Sequence, residues 1–220
     1  MTFYSTGPRR WALAMVAMLT IASLQAHEIR PTIVDLVIDN NGVYQLQLET
    51  NLEALIAGIG PEHSDTEEAP EAVHYNALRA LSPEDLQQEL DAFMPELLAG
   101  FRLEADGQSL SPIWRGAEIP EVGDTTLSRD SRLLFEGQLP LGIEQLGWQW
   151  SNDFGANAMR VSGPGNSDLY TGYLTQGQST GPIDMAGVIG GGWPVWLWFI
   201  PVLILGPLWL MVTLRSRKAD

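Results

Sequence analysis

Apolar and polar residues alternate over residues 32–38 and again over 44–48, a period typical of strands with one buried face. Asn40-Asn41-Gly42 lies between the two segments and supplies turn chemistry, so the pattern predicts a β-hairpin. Short strands at this spacing are typical of a sandwich, and the predicted fold is mainly β, an Ig-like β-sandwich. Further strands are predicted between Gly, Pro, Asn and Asp clusters, over 101–105, 110–114, 133–139, 146–150 and 158–161.

A helical period interrupts the strand pattern and predicts a helical insert over residues 52–99. Ser82-Pro83-Glu84-Asp85 offers an N-cap, a proline at the first helical position and acids in the first turn. Apolar residues then recur at helical spacing until Gly100, which predicts a helix that Pro95 kinks in its last turn. Shorter helices are predicted over 52–57 and 70–80.

Three tryptophans lie in the predicted strands. Trp148 and Trp150 alternate with Gln149, so they share one face of a strand with Leu146. This arrangement predicts packing in the core of the sheet. An exposed aromatic strip would instead bind sugars or a partner protein, and the sequence leaves that alternative open.

Two long apolar segments predict where the protein resides. Residues 1–26 contain an arginine pair, an apolar run and Ala26 at a cleavage position, the three parts of a secretory signal peptide. Residues 193–214 are 22 positions without a charge, and at about 1.5 Å of rise per residue they span a bilayer as one C-terminal transmembrane helix. The basic tail, 215–220, would stay in the cytoplasm.

These segments divide the chain into a signal peptide, a body outside the cytoplasm and an anchor. The body consists of a β-rich ectodomain over 27–161, followed over 162–192 by an edge strand and a flexible tether rich in Gly, Ser, Thr and Pro. The predicted location is the bacterial inner membrane, with a periplasmic ectodomain and a cytoplasmic C-terminus. An alternative interpretation of the last segments is a removable sorting tail.

The ectodomain is strongly acidic. The whole chain has a formal net charge of −15, and the part between the two apolar segments contains 7 basic and 26 acidic residues. Such a surface repels phosphate backbones, so nucleic acid is excluded as a partner, whereas cations or basic proteins are favoured. The alternative explanation is that the excess of acidic residues only keeps an exported domain soluble.

The sequence predicts a non-enzyme. The chain contains no cysteine, which removes disulfides as well as thiol nucleophiles. It contains no phosphate-binding glycine loop. Pairs of carboxylates are expected among the 26 acidic residues of the ectodomain, so they do not identify a catalytic acid and base.

Three histidines are the candidate metal ligands: His27, His63 and His74. Cleavage after Ala26 would give His27 a free α-amino group beside its imidazole, a pair that suits copper. His63 lies in an acidic loop, and His74 follows Glu71 at helical spacing. Imidazole with carboxylates suits nickel, zinc or copper, and carboxylates alone suit calcium or magnesium, but the spacing matches no standard site. A solvated surface loop, with His74 packed near Leu78, explains the same residues without metal.

The segment that starts at Ala26-His27 and continues to Arg30-Pro31 resembles the exported N-terminal region of HupE/UreJ-type membrane proteins. The resemblance implies a β-rich segment and a role beside nickel or cobalt permeases or hydrogenase and urease accessory proteins. Those relatives have several spans, whereas this chain has one predicted span, so it would form no transport path itself.

Two hypotheses for function follow. The first is an exported, single-pass membrane-anchored binding or accessory protein that assists metal uptake, with a membrane permease as its partner. The second is a structural or assembly factor of the cell envelope that binds another membrane protein and no metal.

Overall fold

The computed structural model describes residues 30–63, 66–125, 127–175 and 177–189, which form two β-sheets with their inner faces in one shared core. The predicted mainly β fold is confirmed. The ten strands described are β1 Thr32–Ile38, β2 Val43–Asn51, β3 Phe101–Ala105, β4 Gln108–Ser109, β5 Ile113–Glu118, β6 Asp130–Gln138, β7 Gln145–Trp150, β8 Asn157–Gly163, β9 Ser167–Leu174 and β10 Ile183–Asp184.

The larger sheet has six strands in the order β5-β6-β2-β1-β8-β9, and the smaller has four in the order β10-β7-β3-β4. Neighbouring strands are antiparallel except for β1 and β8, which run parallel. In this pair Asp35 lies beside Arg160. β1 therefore lies in the middle of the larger sheet, paired along both edges.

The β1–β2 hairpin forms where the alternation predicts it, with Ile38 opposite Tyr44. The Asp39 carboxylate accepts hydrogen bonds from the backbone N–H groups of Asn41 and Val43, both at 2.8 Å. Gly42 has a φ of 80°, a left-handed conformation that costs glycine little. The turn is thus determined by its own residues, which is why the local pattern located it.

Three α-helices lie between β2 and β3 and form the predicted insert: α1 Leu52–Ala57, α2 Ala72–Arg79 and α3 Pro83–Ala99. The side chain of Asn51 caps α1 by accepting from the N–H of Ala54 at 3.1 Å. Ser82 caps α3 in the same way, accepting from the N–H of Asp85 at 3.2 Å. Local capping chemistry therefore determines where these helices begin.

Substituting Ser82 with alanine should lower the free energy of unfolding by about 1 kcal/mol. The change leaves the N–H of Asp85 without its hydroxyl acceptor. Pulse proteolysis of the full chain across a urea series measures the change. Ser82→Asp, which keeps an acceptor at this position, should retain most of the stability; equal losses for both variants would contradict the capping role.

The core between the sheets is built around aromatic rings. Trp148 and Trp150 are each 1% exposed, which confirms their predicted place in the core. Phe101 stacks on Trp148 with ring centroids 5.3 Å apart and contacts Phe135 of the opposite sheet at 5.6 Å. Trp148 also donates from its indole Nε1 to the side chain of Asn157 at 3.3 Å. Phe101 thus connects the two sheets.

The strand predicted over 110–114 is wrong in its bounds. Asp106 and Gly107 have positive φ angles of 48° and 75° and reverse the chain directly after β3. β4 therefore pairs back on β3, and β5 begins only after Pro112 and joins the larger sheet beside β6. An apolar pattern does not mark the point at which a chain changes sheets, so the predicted strand covers the connection over 110–112 and only the first two residues of β5.

The described residues between 162 and 189 are part of the packed domain. β9 forms one edge of the larger sheet, and β10 pairs with β7 of the smaller one. Ile183, Met185 and Ile189 are buried. A Cβ placed on Gly42, in the β1–β2 turn, would lie 3.1 Å from Cγ2 of Ile189. The segment assigned to a tether over 162–192 is therefore packed as far as Ile189.

Several predicted segments fall outside the described residues. These are the signal peptide over 1–26, the following His27, the transmembrane helix over 193–214 and the tail over 215–220. Within the part of the chain that the structure describes, no helix has the length and apolar character needed to cross a bilayer.

Candidate functional site

A shallow groove of about 350 Å³ opens on the outer face of the six-stranded sheet. Alternation along each strand places its lining side chains on this face, away from the core. They come from β1, β2, β5, β6 and β8, so the groove exists only once the sheet has formed. We define the sheet groove by eight residues: Asp35, Val37, Gln45, Gln47, Arg115, Leu134, Glu136 and Arg160.

Two arginine–carboxylate pairs line the sheet groove. Arg160 donates to Asp35 at 2.8 Å, since the parallel pairing of β1 and β8 puts them side by side. Arg115 donates to Glu136 at 2.8 Å from a strand irregularity between Trp114 and Gly116. Both arginine side chains are more than half exposed, at 62% and 52%. Exposed pairs of this kind add little to stability, so their charges stay accessible to a partner.

An apolar strip runs along β1 in the middle of this face. Ile33 is 46% exposed and Val37 is 45% exposed, on either side of Asp35. The strand reads Thr-Ile-Val-Asp-Leu-Val-Ile, which is apolar on both faces. Strands of that composition are typical of sheets that are covered on both sides. Here the inner face is covered by the core and the outer face is open.

Every arginine among the described residues makes at least one hydrogen bond. All seven donate a hydrogen bond to a carboxylate or a backbone carbonyl: Arg30, Arg79, Arg102, Arg115, Arg129, Arg132 and Arg160. The helical insert contains 11 acidic residues and one arginine over residues 52–99. The electrostatic potential of the domain is therefore negative, most strongly around the insert, and it favours basic partners.

A buried ion pair joins the insert to the larger sheet. Glu53, in the first turn of α1, is fully buried, and Arg129, just before β6, donates to it at 2.8 Å. Burial raises the pKa of the Glu53 carboxyl above its ordinary value, although its backbone N–H, Arg129 and Arg79 act to lower it. Arg129 also donates to the carbonyl oxygens of Leu81 and Pro120, both at 3.2 Å. One guanidinium thus connects three separate segments.

A second buried arginine binds the same loop. Arg79 donates to the carbonyl of Leu127 at 2.8 Å, and its guanidinium lies 5.0 Å from the ring centroid of Tyr75. Burial raises the pKa of the Tyr75 hydroxyl, which accepts a hydrogen bond from Asn51 at 2.9 Å. The loop between β5 and β6 is therefore attached to α1 and α2 by buried polar contacts.

The structure does not bring the predicted metal ligands together among its described residues. His63 lies 3.4 Å from the carboxylate of Glu62, whereas His74 is exposed on α2. In the described ranges, no group of three His, Cys, Asp or Glu side chains is arranged to hold a metal ion. His27 lies outside those ranges, so a site built around it stays a prediction.

Of the four residues that carry the resemblance to HupE/UreJ-type proteins, the structure describes only Arg30 and Pro31. Arg30 Nη1 lies 3.4 Å from the carboxylate of Asp130 at the start of β6, and its side chain is 71% exposed. Comparison with models of protein families, with curated proteins and with solved structures gives no match. The resemblance to HupE/UreJ-type proteins remains a prediction.

Sequence reasoning missed both the sheet groove and the buried ion pair. Asp35 and Arg160 are 125 positions apart, and Glu53 and Arg129 are 76 apart, so no local pattern connects them. One signal was available. Ile33 and Val37 sit at the outward positions of β1, where alternation calls for polar residues.

Proposed function

We propose that this protein is an exported, membrane-anchored binding protein that docks onto another envelope protein through its sheet groove. The observation that carries the proposal is the exposure of Ile33 and Val37 in the middle of the six-stranded sheet. On the neighbouring strands, Glu49 and Ala158 lie beside Ile33, and Gln45 and Ser162 lie beside Val37. An apolar centre with a polar rim is the usual anatomy of a protein–protein interface.

The charged rim supports a protein partner over a small molecule. Arg160 with Asp35 and Arg115 with Glu136 present both signs of charge to the groove, each already held by its neighbour. Such pairs contribute to orientation and specificity more than to raw affinity. The groove is also shallow, and its apolar residues lie on a broad sheet face. A second protein surface fits this shape.

The rest of the proposal follows the predicted segments. The domain is an Ig-like sandwich held at the outer surface of the bacterial inner membrane by a single C-terminal span. The role is binding without catalysis, either as an accessory of a membrane permease or as an assembly factor. Support for a metal permease comes from the motif of Ala26, His27, Arg30 and Pro31, and copper, nickel and cobalt are the metals such a role would concern.

A photo-crosslinking residue placed at Val37 should capture one dominant partner in native membranes. Ile33→Glu in the same chain should remove most of that product, because it puts a charge in the apolar strip. Leu141, which is 79% exposed in the loop before β7, is the matched control, and a crosslinker there should give weak, scattered products.

Measurement is by mass spectrometry of the adducts, with pulse proteolysis showing that each variant is folded. Persistence of the Val37 product in Ile33→Glu, or the same adducts from both crosslinking positions, would contradict docking through the sheet groove.

A further inference from the structure

A second cavity, of about 280 Å³, opens on the outer face of the smaller sheet. Its floor is the outward side of β7, where Gly147 lies between Gln145 and Gln149. Arg102 and Glu104 of β3 form one wall, with Glu104 directly opposite Gly147. The other wall is the segment 179–182. We call this cavity the glycine cleft.

Gly147 is not required by the fold. Its φ is not in the left-handed region, and a Cβ at this position would lie 3.8 Å from the Glu104 side chain, an ordinary contact. Glycine inside a strand weakens it, because it costs more entropy and offers no side chain to pack. A glycine of this kind often marks a place where a ligand or another chain approaches the backbone closely.

The wall formed by 179–182 is held in place. The N–H of Thr180 donates to the carbonyl of Trp148 at 3.0 Å, and the N–H of Trp148 donates to the Thr180 hydroxyl at 3.1 Å. Ser179 pairs with Gln149 in an isolated antiparallel bridge. Trp148 is itself fixed in the aromatic core. The cleft is therefore preorganised, which reduces the entropy that binding must overcome.

The polar groups of the cleft carry both signs of charge and free hydrogen-bonding capacity. Arg102 and Glu104 are 3.5 Å apart and partly exposed, at 59% and 34%, so their pairing is weak and can be exchanged for contacts to a ligand. The side-chain amides of Gln145 and Gln149 make no hydrogen bond to any described residue. Each amide offers one acceptor and two donors.

We infer that the glycine cleft binds a small zwitterion, a free amino acid or a short peptide. Arg102 receives the ligand carboxylate, Glu104 receives its ammonium group, and the two glutamine amides bind its polar backbone. A ligand with both charges leaves neither member of the Arg102–Glu104 pair without a partner, whereas a purely anionic or cationic ligand would. The site lies on the opposite sheet from the sheet groove, so the two proposals stand or fall separately.

The test is calorimetric titration of the full chain, purified in detergent, with L-alanine, with L-alanyl-L-alanine and with uncharged N-acetyl-L-alaninamide. We expect saturable binding of at least one zwitterion and none of the uncharged analogue. The first two ligands distinguish a free amino acid from a peptide as the source.

Gly147→Ala narrows the cleft, and Gly147→Val fills it. We expect either to raise the Kd by about tenfold or more, equivalent to losing one or two polar contacts. Gln149→Leu, which removes one amide, should do the same. Gly123→Ala is the matched control, because a Cβ there meets no atom within 4 Å and the residue lies outside the cleft. Thermal unfolding shows whether each variant is folded.

Three results would overturn the inference: no saturable binding of either zwitterion, equal binding of the uncharged analogue, or unchanged affinity in folded Gly147→Ala and Gln149→Leu.

Discussion

Arg129→Ala should lower the free energy of unfolding by about 3–5 kcal/mol, the usual cost of removing one partner from a buried ion pair. Glu53 is fully buried and the Arg129 side chain is only 9% exposed, so the remaining carboxylate has little access to water. The variant also loses the hydrogen bonds to Leu81 and Pro120. Pulse proteolysis of the full chain in urea measures the loss.

The free energy of unfolding that Arg129→Ala loses should depend on pH. Burial raises the pKa of Glu53 in the folded protein, so its contribution to stability is fully present below the ordinary value of 4.5 and falls as pH rises through the folded pKa. Removing Arg129 removes a contact that lowers this pKa. The deficit of Arg129→Ala relative to the unmodified protein should therefore shrink as the pH is lowered towards 4.5.

Arg132→Ala is the matched control for this prediction. Arg132 also pairs with two carboxylates, those of Glu49 and Glu118, but its side chain is 52% exposed. Pairs in water contribute at most about 1 kcal/mol. Equal losses for Arg129→Ala and Arg132→Ala, or a deficit for Arg129→Ala that does not change with pH, would show that burial of the Glu53 pair is not what makes Arg129 important.

Trp148→Ala should destabilise the domain by about 3–5 kcal/mol, because it removes a large buried ring and leaves a cavity. Trp148 stacks on Phe101 at 5.3 Å and on Trp150 at 6.0 Å. Its loss also leaves the buried side chain of Asn157 without the indole donor. Urea denaturation of the full chain, followed by pulse proteolysis, gives the magnitude.

Trp114 provides the comparison within the same domain. It contacts Phe135 at 5.0 Å but lies partly exposed on β5, at the edge of the larger sheet. Trp114→Ala should cost clearly less than Trp148→Ala, since water already reaches part of the ring. A cost for Trp114→Ala as large as that for Trp148→Ala would argue against a core centred on Trp148.

Elements with local causes could be predicted from the sequence. The hairpin at Asn40-Asn41-Gly42 depends on Asp39, which binds backbone groups two and four residues ahead. The helix from Pro83 depends on a cap three residues before Asp85. The turn at Asp106-Gly107 is equally local, and the strands predicted over 101–105 and 110–114 lie on either side of it.

Features built by distant residues could not be predicted. The sheet groove needs β8 to lie parallel beside β1, and no local pattern specifies which strands become neighbours. The histidines show the opposite failure. His63 and His74 are close in the sequence and chemically suited to metal, but in the described ranges no three His, Cys, Asp or Glu side chains are arranged to hold an ion. Residue type suggested metal binding, whereas the spacing matched no standard site.

The contact between Ile189 and the β1–β2 turn restricts how the domain can stand on a membrane. If the span begins at Trp193 as predicted, three residues lie between it and Ile189, and these four residue steps reach about 14 Å when fully extended. The end of the sandwich that contains Gly42 would then face the lipid headgroups, with little freedom to rotate away. The strands would then run roughly along the membrane normal. The sheet groove would face along the membrane plane, towards proteins that project a short distance from the same bilayer.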